Sequence, residues 1–193
     1  MGSWYYVKKG LLDNSYSGLV EYCGYWFYVT NGYLNWSVST LAEYNGYWFC
    51  VINGVIDWNY NSLFLYGNDW YLITNGVLNT DYTGLYYYNG GWFYLENGYL
   101  NWNKTTLTLY DGVWFYVENG VINWNSDTLV YYDGFWFYTY GGIIAWDYTG
   151  LVNYYNDWFY VENGVLAQNY TGYVTYNGHN FYITNGYLNW NNQ

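Results

Sequence analysis

The fold class this sequence predicts is an all-β solenoid of stacked β-hairpins, and three observations predict it. A Trp returns every 22 residues, at Trp4, Trp26, Trp48, Trp70, Trp92, Trp114, Trp136 and Trp158, and a ninth, truncated copy opens at Asn180. A Gly stands six residues after each of these nine starts, from Gly10 to Gly186, and in seven copies it follows Asn. Aromatic and β-branched residues flank every one of those turns. A fixed period of this length, held without insertion, marks a repeat array rather than a fold built on one central core. No internal boundary is visible, so residues 1–193 read as a single elongated repeat domain.

Within a repeat, positions are counted from the opening Trp. Asn-Gly at positions 6 and 7 is a strong hairpin signal, because a type I′ turn needs positive φ at both central residues. With that turn fixed, position 5 is expected to pair with 8, 4 with 9, 3 with 10 and 2 with 11, and partners share a face of the sheet. Positions 2, 4, 9 and 11, which are Phe93, Leu95, Leu100 and Trp102 in the fifth repeat, form the expected core face. Position 2 is always Phe or Tyr, position 9 always Leu or Ile, and position 4 aliphatic except at Thr139. The opposite face then carries Trp92, Tyr94, Asn101 and Asn103.

The rest of each repeat reads as a connector. It runs through Asp147-Tyr148-Thr149-Gly150 and its equivalents to a Leu in seven of eight copies and a Tyr three residues later in all eight. Asn-Gly or Asp-Gly follows in five of the eight, giving a second turn before the next Trp. The connector Leu107 and Tyr110 are expected to pack between successive repeats. No helix is expected. One hairpin cannot bury its own apolar face, so stacking must supply the missing surface. Lys8 and Lys9 in the first repeat, and Asn180 with Asn191-Asn192-Gln193 in the last, read as polar ends that discourage end-to-end association.

Composition narrows the function classes. Aromatic residues make up 29% of the chain and charged residues 9%, with 14 acids against three basic residues and a net charge of −11. That charge gives a phosphate backbone little to pair with and disfavours anionic membranes, so neither nucleic acid nor membrane insertion is expected. No apolar run approaches the length needed to span a bilayer. Cys23 and Cys50 occupy different positions of their repeats and read as free thiols. His179 is the lone histidine, and no Cys or second His accompanies it. No metal site, cofactor or nucleophile-base pair can be assembled around it. Glu96, Glu118 and Glu162 beside the turns, with Asp111 and Asp133, read as solvated edge charge rather than a glycosidase pair, so the chain is not expected to be an enzyme.

The segments Gly-x-Trp-Phe-Tyr-Val-x-Asn-Gly, from Gly112 to Gly120, and Tyr-Thr-Gly-Leu, from Tyr148 to Leu151, carry a family resemblance. The chain resembles the aromatic cell-wall-binding and choline-binding repeats of Gram-positive bacterial surface proteins, with related repeats in glucan-binding proteins and clostridial toxin tails. The resemblance implies a superhelix of hairpins, with ligands held by aromatic side chains between consecutive ones. Choline-binding members carry Trp after Thr-Gly, where this chain has Leu19, Leu41, Leu63, Leu85, Leu107, Leu129 and Leu151, then Tyr173. One aromatic wall of a cation cage is therefore aliphatic.

The expected function is a non-catalytic module of the cell-wall or carbohydrate-binding type, with a polysaccharide or cell-wall glycan as partner ahead of choline. Its candidate ligand-binding rings are Trp26 with Tyr28, Trp48, Trp92 with Tyr94, Trp114 with Tyr116, and Trp136 with Tyr138. Asn101 and Asn123 stand beside them to fix hydroxyls. The same rings could instead stack only on one another, in an engineered or purely structural scaffold with no natural ligand. A repeated aromatic strip would also suit lateral self-association. The start, Met1-Gly2-Ser3-Trp4, shows no basic and apolar leader and reads as a recombinant beginning; a natural form is expected to be secreted or on the cell surface.

Overall fold

The computed structural model describes residues 3–192, and these form strands and turns apart from one three-residue 3-10 turn at Trp190–Asn192. Met1, Gly2 and Gln193, invoked above for the start and the C-terminal end, lie outside the described residues. The chain divides into two compact units, Met1–Thr83 with Leu95–Leu100, and Gly84–Tyr94 with Asn101–Gln193. Each is a stack of antiparallel hairpins, an all-β hairpin-repeat solenoid.

One repeat of the second unit shows how the sequence builds it. Thr106–Tyr110 is a leading strand, Val113–Glu118 a central strand and Val121–Ile122 a short third strand. Asp111-Gly112 and Asn119-Gly120 join them, with φ of 49° and 78° at the first turn and 51° and 76° at the second. Both residues of both turns are left-handed, as a type I′ turn requires. The expected register holds nearest the Asn-Gly turn, where Glu118 pairs with Val121 and Val117 with Ile122.

Farther out the expected pairing fails, because position 2 does not pair with position 11. Phe115 pairs instead with Ile143, at position 8 of the next repeat. The stretch read as a connector is itself a strand. It pairs along its whole length with the central strand, from Tyr110 opposite Val113 to Thr106 opposite Val117. The larger hairpin of each repeat thus turns at the second turn. The polar, Gly-rich residues at positions 12 to 15 are genuine turn chemistry, and they hid the alternating Thr-Leu-Thr-Leu-Tyr that follows them. In the first unit, Gly18–Tyr22, Tyr25–Thr30 and Tyr33–Leu34 repeat the arrangement, with Phe27 opposite Val55 as the link to the next hairpin.

This pairing redistributes the two faces. Positions 4 and 9 are core, as expected: Val117, Val161 and Ile122 are buried. Trp at position 11 is not, for Trp102 is 46% and Trp124 52% exposed. The third strand ends at position 9, and Asn101 Oδ1 then accepts the Asn103 N–H at 3.0 Å, turning the chain outward before the Trp can reach the core. Position 3, assigned to the open face, is sealed: Tyr94, Tyr116, Tyr138 and Tyr160 are all buried. It lies opposite the leading-strand Leu, as Tyr116 does Leu107, and the next hairpin covers both. Leu107 and Tyr116 pack with Val130 and Ile144; in the first unit Leu41 and Cys50 pack with Ile73. Each core is therefore a seam between consecutive hairpins, which is why a single repeat is marginal and a stack is stable.

Backbone bonds lock the seams. The Tyr116 N–H donates to the Gly142 carbonyl at 2.8 Å, and the Gly120 N–H to the Lys104 carbonyl at 2.8 Å. A side chain completes each turn, as when Thr105 Oγ1 accepts the Asn119 N–H at 3.2 Å and Thr149 Oγ1 the Asn163 N–H at 3.0 Å. The expected polar end is not found at the first repeat. Lys8 and Lys9 are exposed, but so are Trp4, Tyr5, Val7, Leu11 and Leu12.

Candidate functional site: the grooves between hairpins

Within each unit, the opening Trp of one hairpin meets the position-19 Tyr of the next. Trp26 and Tyr44 stand 4.6 Å apart between ring centroids, Trp92 and Tyr110 4.7 Å, Trp114 and Tyr132 5.3 Å, and Trp136 and Tyr154 5.4 Å, at interplanar angles of 61–63°. Two rings inclined so steeply form a corner rather than a sealed stack. The floor is the buried leading-strand Leu: Leu107 packs with Trp114 and Tyr132, and Leu129 with Trp136 and Tyr154. The rim stays open, with Tyr110 40% exposed.

The grooves are not equivalent, and position 18, across the hairpin from the Trp, makes the difference. It holds Glu21 opposite Trp26, Glu43 opposite Trp48, Leu109 opposite Trp114 and Asn153 opposite Trp158. In two repeats it holds a third ring. Tyr87 stands 5.2 Å from Trp92 and Tyr131 5.3 Å from Trp136. Both tyrosines are exposed. Each of these tryptophans is therefore flanked by tyrosine on both sides, one from its own hairpin and one from the next. Sequence reasoning missed position 18 because it varies from repeat to repeat; its cross-strand pairing with the Trp could be found only once the connector was known to be a strand.

A second row of rings runs along the position-11 tryptophans. Phe27 meets Trp36 at 6.0 Å and 84°, Phe115 meets Trp124 at 6.0 Å and 81°, and Phe137 meets Trp146 at 5.8 Å and 77°. The Phe edge props the indole upright, leaving about half of each Trp in solvent.

The sequence-selected residues fall into three groups. Trp26, Trp92, Trp114 and Trp136 are half-buried and Trp48 is exposed, all on the groove walls. Tyr28 is half-buried, while Tyr94, Tyr116 and Tyr138 lie beneath the grooves in the seams. Burial and the adjacent Glu118 carboxylate push the Tyr116 phenol up to about 12; burial and the Asp127 carboxylate raise that of Tyr138. Asn101 and Asn123 serve their turns: Asn123 Oδ1 accepts the Asn125 N–H at 3.0 Å, and its Nδ2 donates to Glu118 at 2.8 Å.

The acids have local partners as well. Glu21 and Glu43 accept the turn N–H groups of Gly24 at 2.7 Å and Gly46 at 2.6 Å. Among the described residues no group of three or more His, Cys, Asp or Glu side chains could hold a metal ion. Cys23, exposed, and Cys50, buried, are both free.

Comparison with known proteins decides the family. A model of the choline-binding repeat matches seven segments, residues 1–13, 15–35, 37–57, 59–79, 81–101, 103–123 and 147–167, well over half of the chain. The chain belongs to the choline-binding repeat family.

The nine copies read from the Trp and Gly spacing thus include two that the family model leaves out, and one of them departs visibly in structure. Around 125–145, Gly141 replaces the turn Asn, and Ser126 takes over both acceptor roles. Its carbonyl receives the Gly141 N–H at 2.9 Å and its Oγ the Gly142 N–H at 2.9 Å, one residue out of step with the other repeats. Among solved structures, the crystal structure of CbpF in complex with ipratropium is similar over 86% of this chain and 48% of that one, at 21% identity and a TM-score of 0.32. The chain thus spans about half the length of that protein. No curated protein matches.

Proposed function

We propose that this chain is a non-catalytic module that binds a cell-wall polymer through small organic cations carried on it, quaternary ammonium groups of the choline type, and that it works outside the cell. The observation that carries this reading is the recurrent corner of Trp and the next hairpin's Tyr. Inclined aromatic faces attract a cation more strongly as rings are added, and a net charge of −11 favours the same sign of ligand. The grooves of Trp92 and Trp136 are the strongest sites, because Tyr87 and Tyr131 replace the ring lost where Leu85 and Leu129 stand. Weak sites repeated along one array add through effective concentration.

The half-exposed tryptophans Trp36, Trp58, Trp102, Trp124 and Trp146 favour a second reading, in which the faces of a polysaccharide stack on that row. Titration of the whole chain with choline and, separately, with a soluble cell-wall polysaccharide, followed by Trp fluorescence, tests both. Saturable quenching by choline supports the first reading; saturation by glycan alone replaces it with the second. No response to either rejects both and leaves a structural array.

A further inference from the structure

The first repeat holds a cleft of about 580 Å³, and its walls match the seams of the array with one part left out. In a complete seam, positions 1, 3 and 16 of one hairpin meet positions 2, 4, 9 and 17 of the next. Leu19, Trp26 and Tyr28, for example, pack with Ala42, Phe49, Val51 and Ile56. The cleft has Trp4 and Tyr6 on one side and Val20, Phe27, Val29 and Leu34 on the other. These are positions 1 and 3, then 17, 2, 4 and 9. The unfilled member is position 16, the leading-strand Leu, which is buried in all seven places where it occurs, from Leu19 to Leu151.

The backbone shows the same omission. The Tyr6 N–H donates to the Gly32 carbonyl at 2.9 Å and the Tyr6 carbonyl accepts the Asp13 N–H at 3.1 Å, as the Tyr28 N–H does to Gly54 at 2.8 Å and its carbonyl from Asn35 at 3.1 Å. Alternation along a strand then aims the N–H and C=O groups of Tyr5 and Val7 the other way. At the equivalent places Phe27 and Val29 pair with Val20 and Gly18 of the leading strand. Among the described residues no leading strand lies beside Tyr5 and Val7, and Val7 is 55% exposed where its equivalents Val51 and Val117 are at 0%.

We propose that this cleft is an acceptor site for an extended peptide strand supplied in trans, of the pattern small residue, Leu, apolar, any, Tyr. That is the pattern of the array's own leading strand Gly150–Tyr154, Gly-Leu-Val-Asn-Tyr. Strand addition supplies main-chain bonds to Tyr5 and Val7, while the Leu side chain fills the apolar cavity and gives selectivity. Occupancy by Leu at the equivalent point of every other seam in the first unit, Leu19 and Leu41, argues for this occupant over a small ligand.

The test titrates the whole protein with a synthetic peptide of the sequence 149–155, Thr-Gly-Leu-Val-Asn-Tyr-Tyr, and reads residue-resolved amide exchange and Trp fluorescence. Saturable binding is expected, with exchange at Tyr5 and Val7 slowed at least tenfold, and a peptide carrying L151D is expected to bind at least tenfold more weakly. Equal binding of the two peptides overturns the proposal, as does protection appearing elsewhere. Protection of Tyr5 and Val7 by choline, or by raising protein concentration without peptide, overturns it in favour of a small cation or a second copy. Choline quenching is read in the same samples, so failure here is distinguishable from failure of the groove reading.

Discussion

Gly120 lies against the carbonyl of Asn101 so closely that a Cβ on it would come within 2.5 Å of that oxygen. The contact recurs one period earlier, where a Cβ on Gly76 would come within 2.6 Å of the Asp57 carbonyl oxygen. The position-7 glycine is therefore fixed twice over, by its left-handed backbone and by the preceding repeat packed against it. Gly112 in the other turn has φ of 78°, yet nothing lies within 4 Å of where its Cβ would be. Replacing Gly112 by Ala is expected to cost about 1 kcal/mol, the left-handed penalty alone. Gly120→Ala is expected to cost at least ~2 kcal/mol more, because backbone must move. Urea unfolding of both variants checks this, and equal losses would remove the packing argument.

A second expectation concerns alkaline pH. Burial first, then neighbouring groups, raise the phenols of Tyr116 and Tyr148 to about 12, from an ordinary value of 10.0. A folded-state value above the unfolded one means that the neutral phenol is favoured in the fold. That contribution is complete below pH 10 and is lost as pH rises from about 10 to about 12. Absorbance at 295 nm is expected to show the exposed tyrosines ionising first, and the buried ones only together with loss of the β circular dichroism signal. Ionisation of every tyrosine in one step near pH 10, with the fold intact, would contradict the burial of position 3.

How much of this was legible beforehand follows from which residues repeat. The period, the Asn-Gly turn and the seam positions 4 and 9 could be read because one chemistry occupies them in nearly every copy. Trp102 was misplaced because its aromatic character says nothing about where a third strand stops; the Asn101 turn decides that. Tyr94 was placed on the open face because its cover, Val117 and Ile122, comes from the next repeat. Within the groove, the tryptophans were found by their spacing. Tyr87 and Tyr131 were not, since each stands where other copies have Glu, Leu or Asn.

The two cysteines give a direct check on the seam. Burial pushes the Cys50 thiol up to about 12, and it lies fully enclosed with Leu41 and Ile73. Cys23 is exposed at a turn. A thiol reagent at pH 8 is expected to modify one cysteine per native chain, identified as Cys23 by mass spectrometry, and a second only in denaturant. Rapid native labelling of Cys50 would show that the first unit's seams open readily.

The last expectation separates the grooves from one another. Trp92 and Trp114 occupy equivalent positions and face equivalent tyrosines, Tyr110 and Tyr132, at 4.7 and 5.3 Å. They differ in their cross-hairpin neighbours, Tyr87 against Leu109. If position 18 supplies the third wall, exchanging those neighbours should move cation affinity with little effect on folding, because both side chains are more than half exposed. A ring over an exposed cation is worth about 0.5–1 kcal/mol, so Y87L combined with Y131L is expected to weaken choline binding about two- to fivefold at the strongest sites. L109Y is expected to strengthen the Trp114 groove by a similar factor. Calorimetry on the two variants and the parent chain reads both changes, with thermal unfolding as the control for structure. Unchanged affinity in both, at unchanged stability, would show that the tyrosines of position 18 are bystanders and that any cation site rests on the Trp and position-19 Tyr corner alone.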